Sequence, residues 1–178
     1  EIRTMLKDIE IARRLGADGV VFGCLTADGE VDLTSMQILM EASKGLSVTF
    51  HRAFDVCRNP QKALEEIIEL GCNRILTSGQ QPTAEQGIGL LKELQGLAAG
   101  RITLLAGCGV NENNIARIAA ETGINELHFS ARESIQSEMK FRNEVVSMGG
   151  TVHINEYERN VTSVRRVKET IETLHKRI

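Results

Sequence analysis

The chain has 178 residues, 42% of them hydrophobic, with a formal charge of −3, only 3% aromatics and no tryptophan. That length holds one sizeable core, which aliphatic side chains must fill. The acidic balance argues against a nucleic-acid partner, since phosphates need a basic surface. No apolar run approaches the roughly 20 residues of a membrane span, and the opening EIRTMLKDIE lacks the apolar region of a signal peptide.

In chain order, the first element is a helix over 3–15, amphipathic through Met5, Leu6, Ile9 and Ala12, with no strand ahead of it. Apolar strand-like runs follow at 19–25, 46–51, 74–78, 102–107 and 126–130. Taking Val20, Val48, Ile75, Thr103 and Leu127 as markers, the steps are 28, 27, 28 and 24 residues. Helical patterns fill the gaps. In 61–70 Leu64, Ile67, Ile68 and Leu70 share one side, and 84–98 and 112–121 read alike. Asp32 with Ser35, and Asn59 ahead of Pro60, supply helix starts, and a glycine ends the helices before GVVFG, RILTS and ELHFS. Alternating helices and strands with short connections predict a parallel sheet. Two closures are open: a doubly wound sheet or a (β/α)8 barrel, with the absence of GxGxxG counting against a dinucleotide fold. A later run, TVHIN at 151–155, can add a sixth strand, with Val152 and Ile154 against Thr151, His153 and Asn155. The whole chain, 1–178, reads as one (β/α) domain.

Side chains alternate along a strand. Val48 and Phe50 oppose Thr49 and His51, and Leu127 and Phe129 oppose Glu126, His128 and Ser130. In a barrel the apolar set meets the helices and the other set lines the mouth at the strand C-terminal ends. Thr49, His51, Thr77, Glu126 and His128 are therefore expected to face inward. The chemistry gathers there. His51 is a candidate general acid or base, Arg52 a candidate anion holder and Asp55 an orienting carboxylate, with His128 as a second imidazole. A strand also turns polar merely on reaching solvent, and His153, beyond the clear repeat, reads as structural.

AGCGVNENN at 106–114 joins a strand to a helix, and such glycines let backbone N–H groups approach an anion. With LTSG and FSAR at neighbouring strand ends, a small anionic ligand is expected near Thr77, Ser78, Gly107, Gly109, Ser130 and Arg132. Cys24, Cys57, Cys72 and Cys108 are widely spaced, without C-x-x-C, and suit the reduced thiols of a cytoplasmic protein. Cys24, Cys57 and Cys108 follow strand ends on the mouth side, where they are candidate ligands for a thiophilic metal such as Cu(I).

ADGVVFGCLTADGEVD (17–32), VTFHRAFD (48–55), ILTSGQ (75–80), AGCGV (106–110), HFSAR (128–132) and MKFRN (139–143) resemble the CutC copper homeostasis family, the vertebrate-type members above all. The resemblance runs nearly end to end. It implies a TIM-like barrel, a copper-associated and oligomeric protein, and a cytoplasmic, in animals also nuclear, location. In that frame residue 1 falls in the third helix, the five strands are the fourth to the eighth, and the barrel is incomplete at its N-terminus. The family's copper cysteines then lie on strands ahead of this sequence, and the resemblance assigns no role to Cys24, Cys57 or Cys108. Two functions follow as expectations. One is Cu(I) binding and intracellular handling, with Cys57 and Cys108 before Cys24. The other is a barrel enzyme acting on a small phosphorylated or carboxylated substrate. Five strands cannot close an eight-stranded barrel, so unpaired edges predict a homo-oligomer. No organic cofactor is expected.

Overall fold

The computed structural model describes residues 1–143, 145–152 and 154–175. Six helices and seven strands lie among them: α1 (Ile2–Arg14), β1 (Gly19–Phe22), α2 (Leu33–Ala42), β2 (Ser47–Phe50), α3 (Pro60–Glu69), β3 (Arg74–Thr77), α4 (Ile88–Ala98), β4 (Thr103–Gly107), α5 (Ile115–Thr122), β5 (Glu126–His128), β6 (Arg132–Gln136), β7 (Glu158–Thr162) and α6 (Val164–His175). A short 3₁₀ helix, Arg52–Val56, sits between β2 and α3.

The local signals work as chemistry demands. The Asp32 carboxylate accepts from the Ser35 amide (3.0 Å) and hydroxyl (2.6 Å), capping α2. Asn59 Oδ1 accepts from the Lys62 amide at 3.0 Å, and Pro60 occupies the first turn of α3. Gly123, at φ +74°, ends α5 in the left-handed conformation.

β1 to β5 form one parallel sheet in sequential order. The register pairs Val20 with Val48, Phe22 with Phe50, Phe50 with Ile75, Ile75 with Leu104, Thr77 with Ala106 and Ala106 with Leu127. This set forms one face, and its central members are buried with Met36, Leu39, Leu64, Ile67, Leu91, Leu94 and Ile118 from the helices. The opposite face carries Val21, Thr49, Arg74, Leu76, Leu105, Glu126 and His128. It is half-buried to exposed, Val21 reaching 62%. Helices on one face only, with strands in chain order and no switch point, are the wall of a TIM-like barrel rather than a doubly wound sheet.

Thr49, His51, Glu126 and His128 fall in phase on the helix-free side, as alternation requires. Thr77 does not: it shares the phase of Ile75 and is 0% exposed on the helix-covered face. The expected sixth strand is also displaced. Residues 151, 152, 154 and 155 form turn and coil, and His153 lies outside the described residues. The extra strands are β6 and β7, an antiparallel ribbon pairing Arg132 with Thr162 through Gln136 with Glu158. No helix among the described residues is long and apolar enough to cross a membrane.

After the ribbon, α6 packs beside α5, with Leu174 against the core. Arg166 ties it down: its guanidinium donates to Glu112 (Nε to Oε1 3.0 Å) and to the Arg132 carbonyl. The Arg166 hydrogen bonds hold the Glu112 carboxyl below its ordinary range. A lowered folded value means the stabilisation is present above the unfolded carboxyl value and disappears as pH falls through the folded one. Glu112→Gln is therefore expected to unfold at a lower urea midpoint than the parent at pH 7. That gap should close as pH falls from about 5 to about 3, and a gap independent of pH would reject the linkage.

Candidate functional site

The site begins where β2 leaves the sheet. Phe50 is fully buried, and the next residue, His51, turns its ring back to cap the 3₁₀ helix: Nδ1 accepts from the Ala53 amide at 3.2 Å. An accepting Nδ1 carries no proton, so Nε2 is the nitrogen left to meet a ligand. The single turn of 3₁₀ helix then carries Asp55 across to the end of β3.

There Asp55 becomes a hub. Oδ1 accepts from Thr77 Oγ1 (2.6 Å), the Ser78 amide (3.0 Å) and the Gln80 amide (3.1 Å). Oδ2 accepts from Arg52 Nε (2.6 Å) and Ser78 Oγ (3.1 Å). The carboxylate side chain is 7% exposed. Charge-assisted bonds of this kind are short and strong, and here they lock two strand-end loops together. Arg52 also donates from NH2 to Ser78 Oγ at 2.9 Å, and the Asp55 carboxylate raises the guanidinium above its ordinary value. Asp55 thus fixes the direction of Arg52 and, with every lone pair engaged, is poorly placed to move a proton.

The loop after Ser78 is packed to backbone contact. A Cβ on Gly79 would lie 2.5 Å from the Gly87 carbonyl oxygen, and one on Gly87 would collide with the Ser78 carbonyl, so both positions require glycine.

Beside this hub a cavity of about 410 Å³ opens at the C-terminal ends of the strands, lined by Arg52, Cys108, Gly109, His128, Ser130 and Arg132 among others. It gathers both arginines, the exposed imidazole of β5 and the hydroxyl of FSAR. Gly107 is not among the lining residues; it packs against the lining Leu76, whose Cδ1 a Cβ there would meet at 2.6 Å. Thr77 and Ser78 stand outside it: both are fully buried with their hydroxyls on Asp55. Glu126, though on the same face, is held at the other end of the sheet by Arg74 (Nε to Oε2 2.6 Å).

The thiols do not converge. Cys57 is 6% exposed, takes Gln80 Nε2 at 3.4 Å and is pushed up by burial. Cys24 is half-buried and raised first by burial, then by Asp32. Only Cys108 reaches the cavity, where its Sγ lies 3.1 Å from the Pro82 carbonyl oxygen in a residue held at φ +78°. Among the described residues no three His, Cys, Asp or Glu side chains come close enough to share a metal ion. The trio Cys24, Cys57 and Cys108 therefore does not fit a common copper site.

Sequence reasoning missed Gln80, whose amide and side chain bind Asp55 and Cys57. It also missed the pairing of Glu112 with Arg166 across 54 residues. The first was marked only by the nearness of LTSGQ to a strand end; the second has no local mark.

Residues 1–133 match the model of the CutC family. A family protein CutC from Bacteroides thetaiotaomicron is 77% identical over 174 residues, covering 98% of this chain and 70% of the relative. One from Bacteroides fragilis is 75% identical, covering 98% and 69%. Among solved structures, a CutC from Streptococcus agalactiae that carries a provisional copper-homeostasis label is similar at TM-score 0.69 and 34% identity, covering 71% of this chain and 62% of that one. The native KDPGal structure shares the fold at TM-score 0.56 and 13% identity. The chain thus spans about 70% of these curated relatives' length and 62% of the Streptococcus chain. The relatives named here are bacterial, so the nuclear location implied by a vertebrate-type likeness is not carried forward.

Replacing Asp55 by Asn keeps the volume but removes the charge and turns acceptors into donors. Asp55→Asn is expected to lose on the order of 2 kcal/mol, the range for hydrogen bonds to charged groups, and to loosen the loops at 51–57 and 78–87. Urea denaturation with a parental midpoint would contradict the hub.

Proposed function

The chain belongs to the CutC family, and we propose that its strand-end cavity binds a small phosphorylated or carboxylated molecule on which the imidazoles act as acid and base. The observation that carries this is the meeting of Arg52, Arg132, Ser130 and His128 around one cavity at the mouth of a barrel wall. Guanidinium groups match phosphate and carboxylate oxygens in a two-pronged geometry. Arg52, already aligned by Asp55, presents its remaining N–H donors without a further ordering cost. Gly109 admits the anion to the backbone. His128, on the cavity wall, is the group to exchange a proton with the substrate, and His51 offers Nε2 from the adjoining strand end. The cytoplasm is the matching compartment for its free thiols.

Titration calorimetry with inorganic phosphate and with a dicarboxylate checks this reading. Arg132→Ala is expected to weaken the preferred anion at least about tenfold, the loss of roughly one charge-assisted contact. Binding of neither anion at millimolar concentration would sink it.

Cu(I) handling is the second reading. It is favoured by the label of the Streptococcus relative and by Cys108 and His128 lining the same cavity, since thiolate and imidazole are both copper ligands. Copper is then cargo. In an anaerobic Cu(I) titration against a competing chelator, Cys108→Ser is expected to reduce affinity at least about tenfold while Cys57→Ser leaves it unchanged. An unaltered Cys108→Ser titration rejects copper at the mouth.

A further inference from the structure

At the opposite end of the sheet two sulfur atoms meet. Cys72, in the turn between α3 and β3, places Sγ 3.7 Å from Met40 Sδ, on the last turn of α2. Both belong to the edge of the core, and Cys72 is 5% exposed. Beside them lies a cavity of about 540 Å³, lined by Met40, Ser43, Glu41, Glu69 and Asn73 among others. Ser43 is 2% exposed, yet its hydroxyl has no hydrogen-bond partner among the described residues. Met40 and Ser43 are one helical turn apart and so share a side of the chain. A thioether and an unpartnered buried hydroxyl thus border one opening, and the Cys72 thiol lies directly against that thioether.

We propose that Cys72 and Met40 form a binding site for a soft monovalent metal ion of the Cu(I) class, entered through the cavity that Met40 and Ser43 line. Thiolate and thioether sulfur select such ions over hard cations. The spacing suits it: two metal–sulfur bonds of about 2.3 Å spanning the observed separation enclose an angle of about 107°. Ser43 Oγ, buried without a partner on the same cavity as Met40, is the oxygen offered to complete the shell. The Cys72 S–H bond breaks, its proton passes to solvent, and the thiolate and the Met40 lone pair bond the metal. The ion enters and stays in the monovalent state, so no electron is exchanged. This site is separate from the mouth and does not depend on how the mouth is used.

Ag(I), a diamagnetic probe of the same class, allows a direct test on the whole chain labelled with ¹³C at its methionine methyl groups. One equivalent of Ag(I) is expected to move the Met40 resonance while those of Met5, Met36, Met139 and Met148 stay in place. Met40→Leu, close in volume and safe for the fold, should weaken Ag(I) and Cu(I) at least tenfold in a chelator competition. Cys72→Ser should weaken them further, and Cys108→Ser should not affect this site. If Cys72→Ser fails to fold, Met40→Leu and the methyl spectrum decide alone. A still Met40 resonance, a shift at exposed Met139 or Met148 instead, or parental affinity in Met40→Leu overturns the proposal. A loss confined to Cys108→Ser overturns it too, leaving the mouth reading of copper intact.

Discussion

One-sided burial governs this structure. Every helix that touches the five-stranded sheet does so on the face of Phe22, Val48, Phe50, Ile75, Leu104 and Ala106, and the other face is left half-open. Because side chains alternate, this single condition fixes the register: a slip by one residue would put Thr49 and Arg74 under the helices and Phe50 and Ile75 outside. It also decides what each strand can offer at its end. A residue in phase with Phe50 is committed to packing or to a fully satisfied hydrogen bond, whereas one in phase with Thr49 is free to meet a ligand. His51 and His128 are of the second kind and Thr77 of the first.

Thr77 shows how the covered face still serves the mouth. A buried hydroxyl must find a partner, and Thr77 finds Asp55. Asp55 in turn is a carboxylate almost removed from water, which is tolerable only because five donors surround it. The outcome is a rigid link between successive strand ends with Arg52 as its exposed arm. Function at the mouth therefore depends on residues that never touch a ligand. A site held by a second layer of hydrogen bonds is set more accurately than loops alone would set it.

The repeat, the helix faces and their caps were legible in the sequence because each rests on interactions within a few residues: Asp32 with Ser35, Asn59 with Lys62, Leu64 with Ile67 and Ile68. The strand phase was legible at β2 and β5, where polar and apolar residues alternate cleanly. It failed at β3 because Thr77 is polar yet buried, and only its partner, 22 residues away in sequence, explains it. The ribbon of β6 and β7 was missed for a related reason. Arg132–Gln136 and Glu158–Thr162 carry little apolar alternation, since the ribbon packs few side chains into the core, while TVHIN has the pattern but its described residues, 151, 152, 154 and 155, lie in turn and coil. Candidate site residues fared according to depth. Gly109, Ser130, Arg132 and His128 line one cavity, as their positions at strand ends suggest. The cysteines were placed by end of strand but not by face, and face is what separates Cys108 in the cavity from Cys57 in the core.

The sulfur atoms end up distributed by polarity. Each parallel strand has a polar C-terminal end, where amides and guanidinium groups converge, and an N-terminal end where helix C-termini pack with Leu46, Leu70 and Cys72. Negative partial charge gathers at helix C-termini, so anions are disfavoured there and cations are not. Hard, hydrated anions thus suit the mouth with Arg52 and Arg132, and a weakly hydrated soft cation suits the opposite end, where Met40 and Cys72 have little water to compete with. A barrel wall of this polarity separates the two chemistries by the length of a strand, and a ligand at one end need not disturb the other.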